Sequence, residues 1–77
     1  MWLAYEVPMA SAVVSIKVFD LAGRLVRTLA NDSRSAGRYV VVWNGRDERG
    51  AAMRSGMYFI QVRIGAEARR VRVTYLR

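Results

Sequence analysis

The stretch MYFIQVRIGAEARRVRVTY, residues 57–75, decides the fold class. Its apolar residues recur at every second position: Tyr58, Ile60, Val62 and Ile64 before the glycine, then Val71, Val73 and Tyr75 after it. A period of two belongs to strands with one buried face. Gly65 and Ala66 sit between the two runs and suit the loop of a hairpin. With a two-residue loop, Ile60 faces Val71 and Tyr58 faces Val73 on the apolar side, while Phe59 faces Arg72 and Gln61 faces Arg70 on the other. A four-residue loop through Ala68 keeps the same faces but sets Gln61 against Arg72, and the sequence leaves both open. Either way one face is apolar, and the other carries Arg63, Arg70 and Arg72 around an outward Phe59.

The same period extends toward the N-terminus. Val14, Ile16 and Val18 alternate with Ser15, Lys17 and Phe19, and Tyr39, Val41 and Trp43 alternate with Val40, Val42 and Asn44. Trp2–Val7 and Leu25–Leu29 supply two further candidate strands, about six in all, and helical spacing is hard to place anywhere. Turn residues separate them. Asp20 with Gly23, and Asp47 with Gly50, put an acid first and a glycine fourth, as in a type I turn followed by a left-handed residue. Asn44-Gly45 and Ser55-Gly56 mark further turns, and Asn31 to Gly37 reads as a polar connection. The pattern predicts one all-β domain over residues 1–77, an antiparallel sandwich or barrel. Its expected core is Val14, Ile16, Val18, Val41, Trp43, Tyr58, Ile60, Val62, Val71 and Val73, with Tyr5 also read as core.

Composition narrows the function. With 77 residues, a single core only just outweighs chain entropy, so a supplementary constraint is welcome. The absence of cysteine excludes a disulfide, and the absence of histidine as well removes the usual zinc, iron and copper ligands. No metal and no cofactor are expected, and a partner becomes the expected supplement. The net charge is +7, and arginine makes up all thirteen basic residues except Lys17. This excess suits an acidic partner, although a GC-rich genome choosing arginine codons for solvated cations produces the same balance. No apolar run is long enough to span a membrane, and Glu6 and Pro8 interrupt the first residues where a signal peptide keeps a clean apolar stretch.

No catalytic constellation emerges. Without histidine or cysteine, a nucleophilic serine or threonine would need activation by Lys17 or a carboxylate, and Lys17 reads as a solvated strand residue. Asp47 and Glu48 are adjacent, but their loop offers too few oxygens for calcium, so Asp47 reads as a turn-former. Trp43 shares its phase with Tyr39 and Val41 and reads as core rather than as a ligand platform.

In order and spacing, these residues resemble a bacterial family. The run Tyr5, Glu6, Val7, Pro8, then Val14, Ile16, Val18, Phe19, Asp20, Gly23, Arg24, Val26, Arg27, Thr28 and Leu29 is similar to the opening of the Ig-like domain of the flagellar hook-capping protein. Ala36, Gly37, Val42, Trp43, Asn44, Gly45, Arg46, Asp47, Gly50, Ser55, Gly56, Met57, Tyr58 and Phe59 continue it. Similar modules end large secreted bacterial proteins, many resembling type IX secretion sorting domains. The resemblance implies an immunoglobulin- or fibronectin-III-like sandwich of about six to seven strands, exported or surface-associated and without catalytic residues. Family members usually begin with a proline- and asparagine-rich segment ahead of the strand holding Tyr5, and that segment is absent here.

The expected role is therefore a non-catalytic protein-interaction module, with Trp2, Leu3, Phe59, Arg63, Arg70 and Arg72 as candidate contacts. Self-assembly is the alternative: a homo-oligomer or filament in which Trp2–Val7 pairs with a neighbour's edge. Binding of single-stranded nucleic acid by the basic face is a lesser reading, because one aromatic makes a thin stacking platform.

Overall fold

The last hairpin forms with the two-residue loop. Ile60 lies opposite Val71, Tyr58 opposite Val73, Phe59 opposite Arg72 and Gln61 opposite Arg70. Gly65 takes the left-handed conformation, φ 60°, that this tight loop requires. In the computed structural model, which describes residues 1–77, this hairpin is half of a single antiparallel sheet. The strands are β1 (Trp2–Phe19), β2 (Leu25–Val42), β3 (Gly56–Ile64) and β4 (Glu67–Tyr75), in the spatial order β2-β1-β3-β4. There is no helix, and so none long and apolar enough to cross a membrane.

Four strands replace the six or seven expected. Trp2–Val7 and Leu25–Leu29 are the ends of two strands of 18 residues each, which pair with one another along most of their length. Asn31 to Gly37, expected as a polar connection, lies inside β2 and pairs with β1. Its polar side chains are tolerated because this stretch, edge-on to solvent, needs backbone partners rather than apolar ones.

The misreading has a physical origin in the bulges. Val7 pairs with Gly37 but Ser11 with Ser35, so β1 carries extra residues around Pro8, a residue suited to a bulge because it has no N–H to contribute. Extra residues shift the alternation. Leu3, Tyr5 and Val7 face inward before the bulge, and Ala12, Val14, Ile16 and Val18 after it. The first hairpin thereby bends back over the rest of the sheet, so that Val7 and Trp43 share one core with Tyr58 and Ile60 of β3. Two further irregularities, between Ile16/Ala30 and Lys17/Thr28 and between Val18/Arg27 and Phe19/Leu25, each give β2 an extra residue, and the second turns Val26 into that core.

Six of the ten expected core residues are fully buried: Val14, Ile16, Val18, Trp43, Tyr58 and Ile60. Val41, Val62 and Val73 pack at its margin, as does Tyr5, stacked on Tyr39 at 5.5 Å. Val71 departs from expectation and stays 40% exposed, because nothing in the folded-over hairpin reaches across to it. Val7 and Val26 complete the core. Trp43 is its centre, with ring centroids 5.1 Å from Tyr58 and 4.9 Å from Tyr75, and its Nε1–H donates to the Arg46 carbonyl at 3.0 Å.

The core is thin for the chain. The accessible surface is 5314 Å², against roughly 4,700 Å² for a compact protein of this mass. The radius of gyration is 12.6 Å, against about 11.5 Å for a compact chain of this length.

The two acid-to-glycine turns form as read. Gly23 N–H donates to the Asp20 carbonyl and Gly50 N–H to the Asp47 carbonyl, both at 3.0 Å, with φ 86° at each glycine. Asp20 also accepts from the backbone N–H of Arg24 and Ala22 and from the Arg24 guanidinium. The Arg24 backbone bond chiefly, helped by the guanidinium, holds the Asp20 carboxyl below its ordinary value of 3.8. A carboxyl depressed on folding stabilises above its unfolded pKa, and that contribution is lost as pH falls through the folded value. The melting-temperature gap between wild type and Asp20→Ala should accordingly be constant near neutrality and shrink below about pH 4. A gap that widened in acid would contradict the assignment.

Candidate interaction surfaces

Neighbouring residues on a strand point to opposite faces, so the candidate contacts divide among different surfaces. Trp2 is exposed on the outer side of the bent hairpin, opposite Val42 in register and beside the Ala4–Val40 pair. Trp2, Val40 and Val42 are each more than 60% exposed and make a small apolar patch. Leu3 points the other way, into a groove.

That groove, of about 670 Å³, lies between the first half of β1 and the β3–β4 hairpin. Leu3, Tyr5, Pro8 and Met9 form one wall, Val62, Ile64 and Val71 the floor, and Glu6, Glu67 and Arg69 the rim. The edge of β1 above it is unpaired, since residues 2–7 pair only with β2, and β3 begins to pair with β1 at Val14. Met1 and Trp43 exchange backbone hydrogen bonds of 2.9 and 3.3 Å across the β1–β2 ladder. By antiparallel alternation Leu3, Tyr5 and Val7 also bond toward β2, leaving the N–H and C=O groups of Trp2, Ala4 and Glu6 directed over the groove.

Phe59, Arg63, Arg70 and Arg72 gather on the opposite, outer face of β3 and β4. The sequence reading missed a neighbour there. Phe19 of β1 lies directly opposite Phe59, and Lys17 opposite Gln61. The β1–β3 register, which only long-range pairing creates, brings these together. The Arg70 guanidinium stands over the Phe59 ring, 5.6 Å from its centroid. The ion pairs in the protein are Arg24–Asp20, Arg34–Asp32 and Arg38–Glu6, so Lys17, Arg63, Arg70 and Arg72 have no acidic partner.

Of the three remaining acids, Glu67 stands at the groove rim and the other two are spent on architecture. Asp47 accepts from the backbone N–H of Arg49 at 3.0 Å and Ala51 at 2.9 Å, which closes its turn. Glu48 accepts from the Thr28 N–H at 2.7 Å and so docks that turn onto the edge of β2. No group of three or more acidic side chains converges to hold a metal ion.

A family model described as the FlgD Ig-like domain matches residues 2–67, most of the chain. No curated protein and no solved structure matches it.

Proposed function

This chain belongs to the FlgD Ig-like domain family, and on that premise we propose that it is a non-catalytic protein-interaction module of a bacterial surface assembly, related to the flagellar hook cap. The observation that carries the reading is the open β1 edge above an apolar groove. A bare edge is a template for another strand, and natural proteins usually cover it. An extended segment of a partner would pair with Trp2, Ala4 and Glu6 through its backbone and set alternate side chains onto Val62, Ile64 and Val71. The added strand would extend the first half of the β1–β2 hairpin, where β1 now has a neighbour on one side only. The same edge serves equally for a hook-cap assembly or for a C-terminal sorting module.

Self-assembly is the second reading, and the Trp2–Val40–Val42 patch favours it. Two copies would bury these three side chains against one another.

One set of samples separates the two. A peptide of about seven residues alternating valine and threonine, titrated into the chain, should shift the amide signals of Ala4 and Glu6 and the methyl signals of Val62, Ile64 and Val71. Ala4→Pro removes an edge donor without touching the β1–β2 ladder, and it should abolish those shifts while leaving the fold intact. Shifts confined to Trp2, Val40 and Val42, with sedimentation showing oligomers that Trp2→Ser dissolves, would replace the edge reading with self-assembly.

A further inference from the structure

The outer sheet face presents Lys17, Arg63, Arg70 and Arg72 without a neutralising acid. We propose that this face binds a carboxylate-rich segment of a partner protein, at a site separate from the β1 edge and independent of it.

The register fixes the layout. Lys17, Gln61 and Arg70 lie in one row across β1, β3 and β4; Phe19, Phe59 and Arg72 form the next row, and Ser15, Arg63 and Ala68 the row on the other side. With strands about 4.8 Å apart and about 6.8 Å between alternate residues, the four cations fall within a patch of roughly 10 by 14 Å. Acidic side chains two apart on an extended segment repeat at the same spacing as these rows. One acid borders the patch, Asp20, whose carboxylate is already committed to Arg24 and to the Ala22 and Arg24 amides.

The aromatic pair decides between a protein and a nucleic acid. A single-stranded nucleic acid needs ring faces free to stack on bases. Here the Arg70 guanidinium occupies one side of the Phe59 ring, and the Asp20–Gly23 turn borders the end of the face where Phe19 and Phe59 meet. The rings thus act as supports. The cation–π contact with Phe59 steadies the Arg70 guanidinium, which makes no ion pair within the protein and so keeps N–H groups to offer a carboxylate. Gln61, half-buried in the middle row, adds a neutral donor between Lys17 and Arg70.

The test is fluorescence anisotropy on the intact chain with two labelled probes of about ten units each, an oligoglutamate and an oligothymidylate, at about 50 and about 150 mM salt. The oligoglutamate should bind at least about tenfold more tightly than the oligothymidylate at both salts. Arg70→Ser with Arg72→Ser should weaken it by roughly tenfold or more without changing the melting temperature. Arg49→Ser with Arg54→Ser, which removes the same charge from the exposed connection between β2 and β3, should weaken it less than about twofold. Should the first pair perturb folding, Lys17→Ser with Arg63→Ser probes the same face. Tighter binding of the oligothymidylate would assign the face to nucleic acid. Equal losses in the face and control variants would reduce it to net charge, and absence of oligoglutamate binding would end the proposal.

Discussion

Trp43→Ala should remove most of the stability of this domain. A chain of 77 residues is held by about 4–12 kcal/mol, and deleting a buried tryptophan costs about 3–5 kcal/mol. Trp43 is 1% exposed and joins the bent hairpin to β3 and β4, so its loss opens a void between them. The neighbouring rings cannot collapse into it, because Tyr58 is anchored by its hydroxyl donating to the Arg54 carbonyl at 2.7 Å. For a domain of this size the expected fall in melting temperature is roughly 15–30 °C, read by circular dichroism. Trp43→Phe keeps the ring and loses the bond to the Arg46 carbonyl, so its cost should be about a third as large. A loss under about 1 kcal/mol for the alanine variant would mean that Trp43 is not the central packing residue.

Gly45→Ala is the second large effect, and its cause differs. Gly45 follows Asn44 in the turn after β2, at φ 77°, where a Cβ costs about 1–2 kcal/mol. An added Cβ would also collide with the ring and hydroxyl of Tyr75. Tyr75 is wedged against Trp43 and Tyr58 and cannot simply swing aside, and overpacking of this kind adds about 1–3 kcal/mol. The expected total is about 2–5 kcal/mol by denaturant unfolding. Gly50→Ala provides the comparison, since φ there is 86° but a Cβ meets nothing within 4 Å. It should cost only the backbone portion, about 1–2 kcal/mol. Tyr75→Leu in the Gly45→Ala background should recover part of the difference, and additivity of the two changes would exclude the collision.

The two variants also mark how far the sequence reads. Trp43 was legible as core because it shares a phase with Tyr39 and Val41, and Gly45 as a turn residue because it follows Asn44. The reason Gly45 must stay glycine was not legible. Tyr75 lies thirty positions away, and only the packing of β4 beneath the turn brings the two together. Glu48 is a similar case: its sequence neighbours give it no partner, and in the fold it accepts from the Thr28 amide at the edge of β2.

The candidate contacts carried a signal that was there to be used. Trp2 and Leu3 are adjacent on a strand, so strand alternation alone sends them to different faces. The partnering of Phe19 with Phe59 had no such signal, because the offset between β1 and β3 depends on a connection through β2 and two loops.

Local chemistry was enough to determine the all-β class, the last hairpin with its two faces, and the two acid-to-glycine turns. Each depends on residues a few positions apart, where alternation and left-handed glycine conformations act directly. Strand number was beyond it. A break in alternation looks the same whether a chain stops or bulges, and at Pro8 β1 bulges and then resumes its pairing with β2 at Ser11. The bend made there folds the first hairpin over the sheet, seals Trp43 and Val7, and leaves the β1 edge and Val71 uncovered. Only tertiary structure decided this, because the free energy of burying one half of the hairpin against β3 and β4 depends on where those strands lie and not on any residue nearby in sequence.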